Sequence, residues 1–184
     1  MIKAMLFDLD GTLFDSIEAN VKAYSKAFKE VGLAFSASEY RKAFGLRFPE
    51  MIHKLAPDST DEQREKIRQL KSPYYRENII HVKPNHGLIS LLKSLRGSYK
   101  TALVTTASKH NVDSLLTHFL PDENLFDAMV VGEDVDRGKP DPSCYLIAAE
   151  RLAVAAAECL VFEDSEAGVA AAKDAGMTCV KVKL

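Results

Sequence analysis

Apolar and polar positions along this chain alternate between two periods. Short apolar runs recur at residues 2–7 (Ile-Lys-Ala-Met-Leu-Phe), 101–105, 127–131, 159–162 and 178–182. Their length and β-branched content read as buried strands. Between the later runs the apolar residues fall at helical spacing, at about 85–96, 109–119, 142–153 and 166–175. Asp141-Pro142 serves as a cap and first-turn proline, and Gly97 and Gly176 serve as stops. Alternation of this kind predicts an α/β fold with a parallel sheet. Residues 16 to 81 break the pattern, being helical by period with no convincing strand. Ser36 with Glu39 and Thr60 with Gln63 have the spacing of capping boxes there. The stretch is expected to be an inserted helical domain, leaving 1–15 and 82–184 as the core.

Composition narrows the function classes. At 184 residues the chain can bury one good core, or a core with a smaller insertion. Its formal net charge of -2 provides no long-range attraction to nucleic acid or an anionic membrane, so any anionic ligand must be held locally. Cys144, Cys159 and Cys179 are odd in number and lack metal-ligand spacing, which reads as reduced thiols. The apolar run directly before Asp8, Ala4 to Phe7, is four residues long, too short for a signal peptide, and no run approaches a membrane span. The expected setting is cytoplasmic, with a small-molecule partner and a monomeric or homodimeric state.

The chemistry begins where the first run ends, at Asp8-Leu9-Asp10-Gly11. Side chains two apart on an extended chain leave the same side of the backbone, so both acids face one volume. Gly11 permits a sharp exit with positive φ and lets a ligand approach main-chain N–H groups. Two carboxylates ~4 Å apart repel by roughly 4 kcal/mol at an effective dielectric of ~20. A divalent cation, a proton on one acid, or both would offset this. Those are the ingredients of a nucleophile beside a general acid/base. The alternative is a solvated Asp-Gly turn.

In a parallel sheet, ligands sit at the carboxyl ends of the strands. The other strand ends carry suitable groups: Thr105 with Thr106, Ala107 and the N-cap candidate Ser108; Lys139 within Gly138-Lys139-Pro140-Asp141-Pro142; and Glu163-Asp164-Ser165 with Gly168 a turn later. Taken singly, Thr105 could cap a helix, Lys139 could be a solvated loop charge, and the acidic pair could be a cap. Those readings would have to coincide at one end of one sheet.

The ordered series Asp8-Leu-Asp10-Gly11-Thr12, Thr105, Gly138-Lys139-Pro140 and Glu163-Asp164-Ser165 with Gly168 resembles the four motifs of the haloacid dehalogenase superfamily. The match spans nearly the whole chain. A helical insertion directly after the first motif resembles the subgroup that includes phosphoglycolate phosphatases and β-phosphoglucomutases. The resemblance implies a Rossmann-like core, a helical cap and Mg²⁺-dependent transfer of a phosphoryl group from a small phosphorylated metabolite. It implies Asp8 as nucleophile and Asp10 as general acid/base. Thr105, Thr106, Lys139 and Gly11 would lie around the phosphoryl group. Asp8, the Asp10 carbonyl, Asp164 and Glu163 would lie around the metal.

Variation within that family points to hydrolysis. Its dehalogenases and phosphonatases lack an acid at the position of Asp10, and this chain keeps it. Its β-phosphoglucomutases carry valine where Thr12 stands and a cap histidine where Asn20 aligns, so a mutase is the alternative reading. Asn20 is otherwise an exposed helix residue, and Arg47 is either a substrate contact in the cap or a surface residue. Members of the family usually continue beyond the last strand-like run, whereas this chain stops at Leu184. A phosphoacceptor receiver domain uses similar groups, but the insertion after Gly11 and an acidic pair following the lysine oppose it. An inactive binding module is opposed by the intact motif series.

Overall fold

The computed structural model describes residues 1–121 and 124–184. In chain order, β1 (Ala4–Phe7) is followed by the two-residue β2 (Phe14–Asp15). Four helices come next: α1 (Ile17–Glu30), α2 (Ala37–Ala43), α3 (Phe48–Leu55) and α4 (Asp61–Glu77), and then the short β3 (Lys83–Pro84). The alternating part comprises α5 (His86–Leu95), β4 (Lys100–Val104), α6 (Lys109–Phe119) and β5 (Ala128–Val130). It ends with α7 (Ser143–Leu152), β6 (Cys159–Glu163), α8 (Glu166–Asp174) and β7 (Thr178–Lys181). All five strands of the main sheet are parallel, in the order β5-β4-β1-β6-β7.

β1 is central and buried at every residue, as expected of a strand covered on both faces. Its side chains divide between two cores. Met5 and Phe7 pack with Leu88, Leu92, Val112 and Leu115 from α5 and α6. Ala4 and Leu6 pack with Tyr145, Ala148, Ala171 and Ala172 from α7 and α8. The architecture is the expected Rossmann-like α/β fold. The helices of residues 17–77 assemble a third cluster around Tyr24, Phe28, Tyr40, Ile52 and Ile67. Chain entry and exit for this bundle lie side by side, because β2 pairs antiparallel with β3 through Phe14–Pro84 and Asp15–Lys83.

Boundaries differ from expectation where a side chain intervenes. The first strand begins at Ala4 and not Ile2. Asp127 lies outside β5 because its carboxylate accepts the Thr101 N–H at 2.8 Å. α7 begins after Pro142, with Asp141 Oδ1 taking the Ser143 N–H at 2.9 Å. Thr60 and Gln63 form a complete capping box. Ser36 accepts from the Glu39 N–H, but the Glu39 carboxylate accepts a hydrogen bond from the Lys42 ammonium, so only half that box exists. Ser108 precedes α6 without a side-chain cap; the Lys109 N–H is taken by Glu133. The three cysteines are free thiols. Among the described residues no helix is long and apolar enough to cross a membrane.

The Thr60 box gives a stability test. Thr60→Ala leaves one N-terminal donor of α4 unsatisfied, and should lower unfolding free energy by about 1 kcal/mol, read from the urea midpoint at unchanged slope.

Candidate active site

The carboxyl ends of β1, β4 and β6 converge with the loop before α7 on one buried ion cluster. Lys139 is 5 % exposed, Asp8 6 % and Glu163 1 %, so all three charges have left bulk water. Lys139 Nζ donates to Asp8 Oδ1 at 2.6 Å, Glu163 Oε1 at 2.8 Å and the Val104 carbonyl at 3.3 Å. An ammonium has three protons, and each is engaged. Glu163 is satisfied on both oxygens: Oε1 also accepts from Tyr145 at 3.4 Å, and Oε2 takes the Ser165 N–H at 2.6 Å and hydroxyl at 2.9 Å. Asp8 is not, since its Oδ2 is buried without a partner. A buried unpaired carboxylate oxygen is costly, so the site is built to receive a donor or cation there.

Ligand atoms from Asp8, Glu163 and Asp164 lie within 4.8 Å of one another. Three carboxylates beside one ammonium carry a formal net charge of two negatives when ionised, and hard oxygen donors of that number suit a divalent cation. The donor set fits the implied metal, with Asp8 and Asp164 the freer ligands because the Glu163 oxygens are already engaged. The electrostatics agree. Burial, reinforced by Glu163 and Asp164, pushes Asp8 well above the usual carboxylate range, although Lys139 opposes the rise. Burial and then Glu163 raise Asp164, against a hydrogen bond from Thr12 at 3.2 Å. Burial disfavours the charge on Lys139, but the fields of Asp8, Tyr145 and Glu163 outweigh it and hold the ammonium above its ordinary value.

Two glycines make room for this cluster. Gly11 has φ +93°, and a Cβ there would lie 2.2 Å from Asp164 Oδ2. At Gly168 a Cβ would come within 1.6 Å of Glu163 Oε1.

Asp10 is placed differently. Its carboxylate stands outside the acidic cluster, where Ser16 Oγ donates to Oδ1. Burial raises its pKa; the Ser16 hydrogen bond and then the charges of Lys71 and Lys139 oppose the rise. Asp10 borders a cavity of about 460 Å³ between the helical bundle and the sheet, which Asn20, Arg47, Thr106 and Asn111 also line. Thr105 is 1 % exposed, and its Oγ1 accepts the Ala107 N–H at 3.0 Å, leaving its own proton to give. Thr106 donates to the Gly45 carbonyl at 2.9 Å, so its hydroxyl joins bundle to core. Arg47 also bridges that gap, donating to the Asp136 carbonyl. Asn20 is buried at 5 % exposure, which overturns its reading as an exposed helix residue.

Comparison with known proteins now decides the family. The profile of the haloacid dehalogenase-like hydrolases matches residues 5–182. The chain belongs to that family. A phosphorylated carbohydrates phosphatase of Thermotoga maritima is 32 % identical over 96 % of this chain and 82 % of its own length. A fructose-1-phosphate phosphatase of Escherichia coli is 29 % identical over 98 % and 96 %. The crystal structure of CbbY from Rhodobacter sphaeroides in complex with phosphate superposes with a TM-score of 0.90 at 28 % identity, covering all of this chain and 87 % of that one. This haloacid dehalogenase-like hydrolase is therefore an enzyme, a phosphatase by family and by its named relatives.

Three neighbours of the site escape a motif search. Lys71 of α4 is buried, with its ammonium 4.4 Å from the Tyr75 ring centroid and 5.4 Å from that of Tyr24, and it borders the cavity. Burial lowers its pKa to about 8, Asp10 opposing. In sequence it reads as one more charge in a solvated helix. Ser16 and Tyr145 are equally silent as residue types; only their offsets from Asp10 and Lys139 carry a signal.

Gly168→Ala tests the packing of the cluster. The added methyl must displace Glu163 and with it one anchor of Lys139. kcat should fall at least tenfold while the far-ultraviolet dichroism stays native; an unchanged kcat would show that Glu163 has room to move.

Proposed function

We propose that this enzyme hydrolyses a small phosphate monoester, a phosphorylated carbohydrate, through a phosphoryl-aspartate at Asp8 with Mg²⁺ as cofactor. The observation that carries the reading is the buried Asp8 carboxylate, with Lys139 on Oδ1 and no partner on Oδ2. A phosphate monoester and the carboxylate that attacks it are both anionic, so their approach is uphill without compensation. Mg²⁺ held by Asp8, Asp164 and the Asp10 carbonyl would supply positive charge against that repulsion. Lys139 lowers the charge on Asp8 and orients it. Its 3.3 Å contact to Val104 is its longest, and is the bond that an anionic substrate oxygen would replace. Thr105 and Gly11 line the phosphoryl position with a hydroxyl and a close-approaching backbone.

Asp10 serves the leaving oxygen. Burial raises its pKa, which suits an acid that gives a proton to the departing alkoxide and takes one back from the water that cleaves the acyl phosphate. Residues 16–81 act as a cap over a core of residues 1–15 and 82–184, hinged at the β2–β3 ribbon. Lys71 is the cap cation assigned to the substrate, and Arg47 fastens the cap to the loop that carries Lys139. The free thiols suit a reducing cytoplasm. The names of the relatives support a carbohydrate portion, and the cavity offers it Asn20, Asn111 and Tyr75 as polar partners.

Asp8→Asn keeps the shape but removes the anionic nucleophile, so hydrolysis of p-nitrophenyl phosphate should fall below a tenth of wild type with folding intact. Chelation of divalent ions should stop the wild type and Mg²⁺ should restore it. Asp164→Ala should raise the Mg²⁺ concentration needed; full activity in excess chelator contradicts the site.

Lys71 gives a test with a pH signature. Its pKa of about 8 in the folded state lies below the ordinary 10.5, so the unfolded chain binds more protons between those values. Native stability therefore rises with pH across that window. Lys71→Met removes the burial penalty, and should stabilise the protein at pH 7 by on the order of 2–3 kcal/mol. The gain should shrink between pH 8 and 10.5. At pH 7 the same variant should lose kcat/KM for a sugar phosphate, so urea unfolding at two pH values plus one kinetic assay checks both halves.

A further inference from the structure

A chain of three side chains leads from α1 into the site, and its hydrogen-bond direction can be read atom by atom. The Asn20 carboxamide nitrogen lies 3.1 Å from the main-chain oxygen of Ser16 and 3.3 Å from Ser16 Oγ. A carbonyl oxygen only accepts, so the amide atom facing it must be nitrogen, and the usual ambiguity of an asparagine is removed. That nitrogen also donates to Ser16 Oγ, which is an acceptor in the bond. Ser16 has one proton and gives it to Asp10 Oδ1. Asp10 Oδ1 is thereby committed as an acceptor.

We infer that Asn20, acting through Ser16, fixes Asp10 so that Oδ2 alone exchanges the proton with the leaving oxygen. The inference rests on the reaction proposed above and makes Asn20 and Ser16 positioning residues within it. Among the described residues, Ser16 is the side-chain hydrogen-bond partner of Asp10. Lys71 on α4 and Lys139 on the loop before α7 act on it only as charges. Charges attract the carboxylate without choosing between its oxygens; a directed hydroxyl chooses.

The bonds balance accordingly. An Asp8 oxygen forms the new bond to phosphorus while the ester P–O bond breaks, its electron pair staying on the leaving oxygen. The proton on Asp10 Oδ2 passes to that oxygen and Asp10 is left anionic. In the second half-reaction water attacks phosphorus, Asp10 Oδ2 takes a proton from that water, and the Asp8 carboxylate is released.

The leaving group is the discriminating readout. An alkyl phosphate needs the proton to leave, whereas p-nitrophenolate departs with little assistance. kcat/KM covers steps only through the first irreversible one, so it reports the first half-reaction alone. For Ser16→Ala and Asn20→Leu, the ratio of kcat/KM for p-nitrophenyl phosphate over an alkyl phosphate should rise at least tenfold above wild type. Ser16→Thr, which keeps the hydroxyl, should restore the ratio. If both esters fall equally in both variants, the residues are merely structural and the inference fails; it fails also if the ratio does not move. Should Ser16→Ala not fold, Asn20→Leu carries the comparison.

A measurement independent of turnover tests the relay itself. The side-chain amide resonance of Asn20 should shift in Asp10→Ala, because its donor bonds run to Ser16, whose proton has then lost its acceptor. An unmoved resonance overturns the relay. A wild type inert toward every ester would instead overturn the proposed reaction while leaving this spectrum decisive.

Discussion

One ammonium buried among carboxylates governs the architecture of this enzyme. Lys139 has given up its water, and so have Asp8 and Glu163. Removing a charge from water costs several kcal/mol unless every proton and lone pair is reused. The surroundings are arranged to meet that condition. β1 and β6 are adjacent in register, with Phe7 opposite Phe162, so Asp8 and Glu163 emerge side by side from the centre of the sheet. Ser165 and Tyr145 complete Glu163 from α8 and α7. Only Asp8 Oδ2 is left open. The exception to an otherwise satisfied network marks where an incoming group is needed.

Two aspartates two residues apart sit in different surroundings. Asp8 belongs to the ion cluster of the core, where Lys139 favours its anion but burial, Glu163 and Asp164 raise its pKa. Asp10 belongs to a network reaching into α1, through Ser16 and Asn20, where burial again raises the pKa. What separates the two is the partner on Oδ1, an ammonium for Asp8 and a hydroxyl for Asp10. Gly11 is the pivot between them. Its positive φ turns the chain toward the β2–β3 ribbon, and its missing side chain lets Asp164 approach from the end of β6.

Much of this was legible in the chain because the informative residues sit at strand ends, where the period of the sequence changes. Asp8, Thr105 and Glu163 each close an apolar run, and a parallel sheet brings such ends together without further information. Lys139 was legible through the stiff Gly-Lys-Pro setting. The cap was legible as helices, but not as a surface. Nothing in the sequence sets Lys71 apart from the other charges of its helix, and it becomes buried only because α4 packs against α1, which sets the rings of Tyr24 and Tyr75 beside it. Asn20 illustrates the same limit. Helical period says that it shares a face with Ser16; it does not say that the face turns inward. Tertiary packing supplies that, and no local pattern encodes it.

The inserted helical segment also touches the two core loops that carry Thr105 and Lys139. Thr106, next to Thr105, donates to the Gly45 carbonyl, and Arg47 donates to the Asp136 carbonyl three residues before Lys139. The Arg47 stem lies over Gly138, where a Cβ would come within 2.6 Å of Arg47 Cγ. A side chain at 138 would therefore push the cap segment away from the core. This gives the glycine before Lys139 a second physical reason beyond loop geometry. The contacts that seat the inserted helices and the contacts of Lys139 belong to one short loop, so the position of that segment and the placement of Lys139 are mechanically linked. On the proposed reading of residues 16–81 as a cap, that linkage would couple closure over the ion cluster to the placement of Lys139, and in a drier site each of those charges would act more strongly.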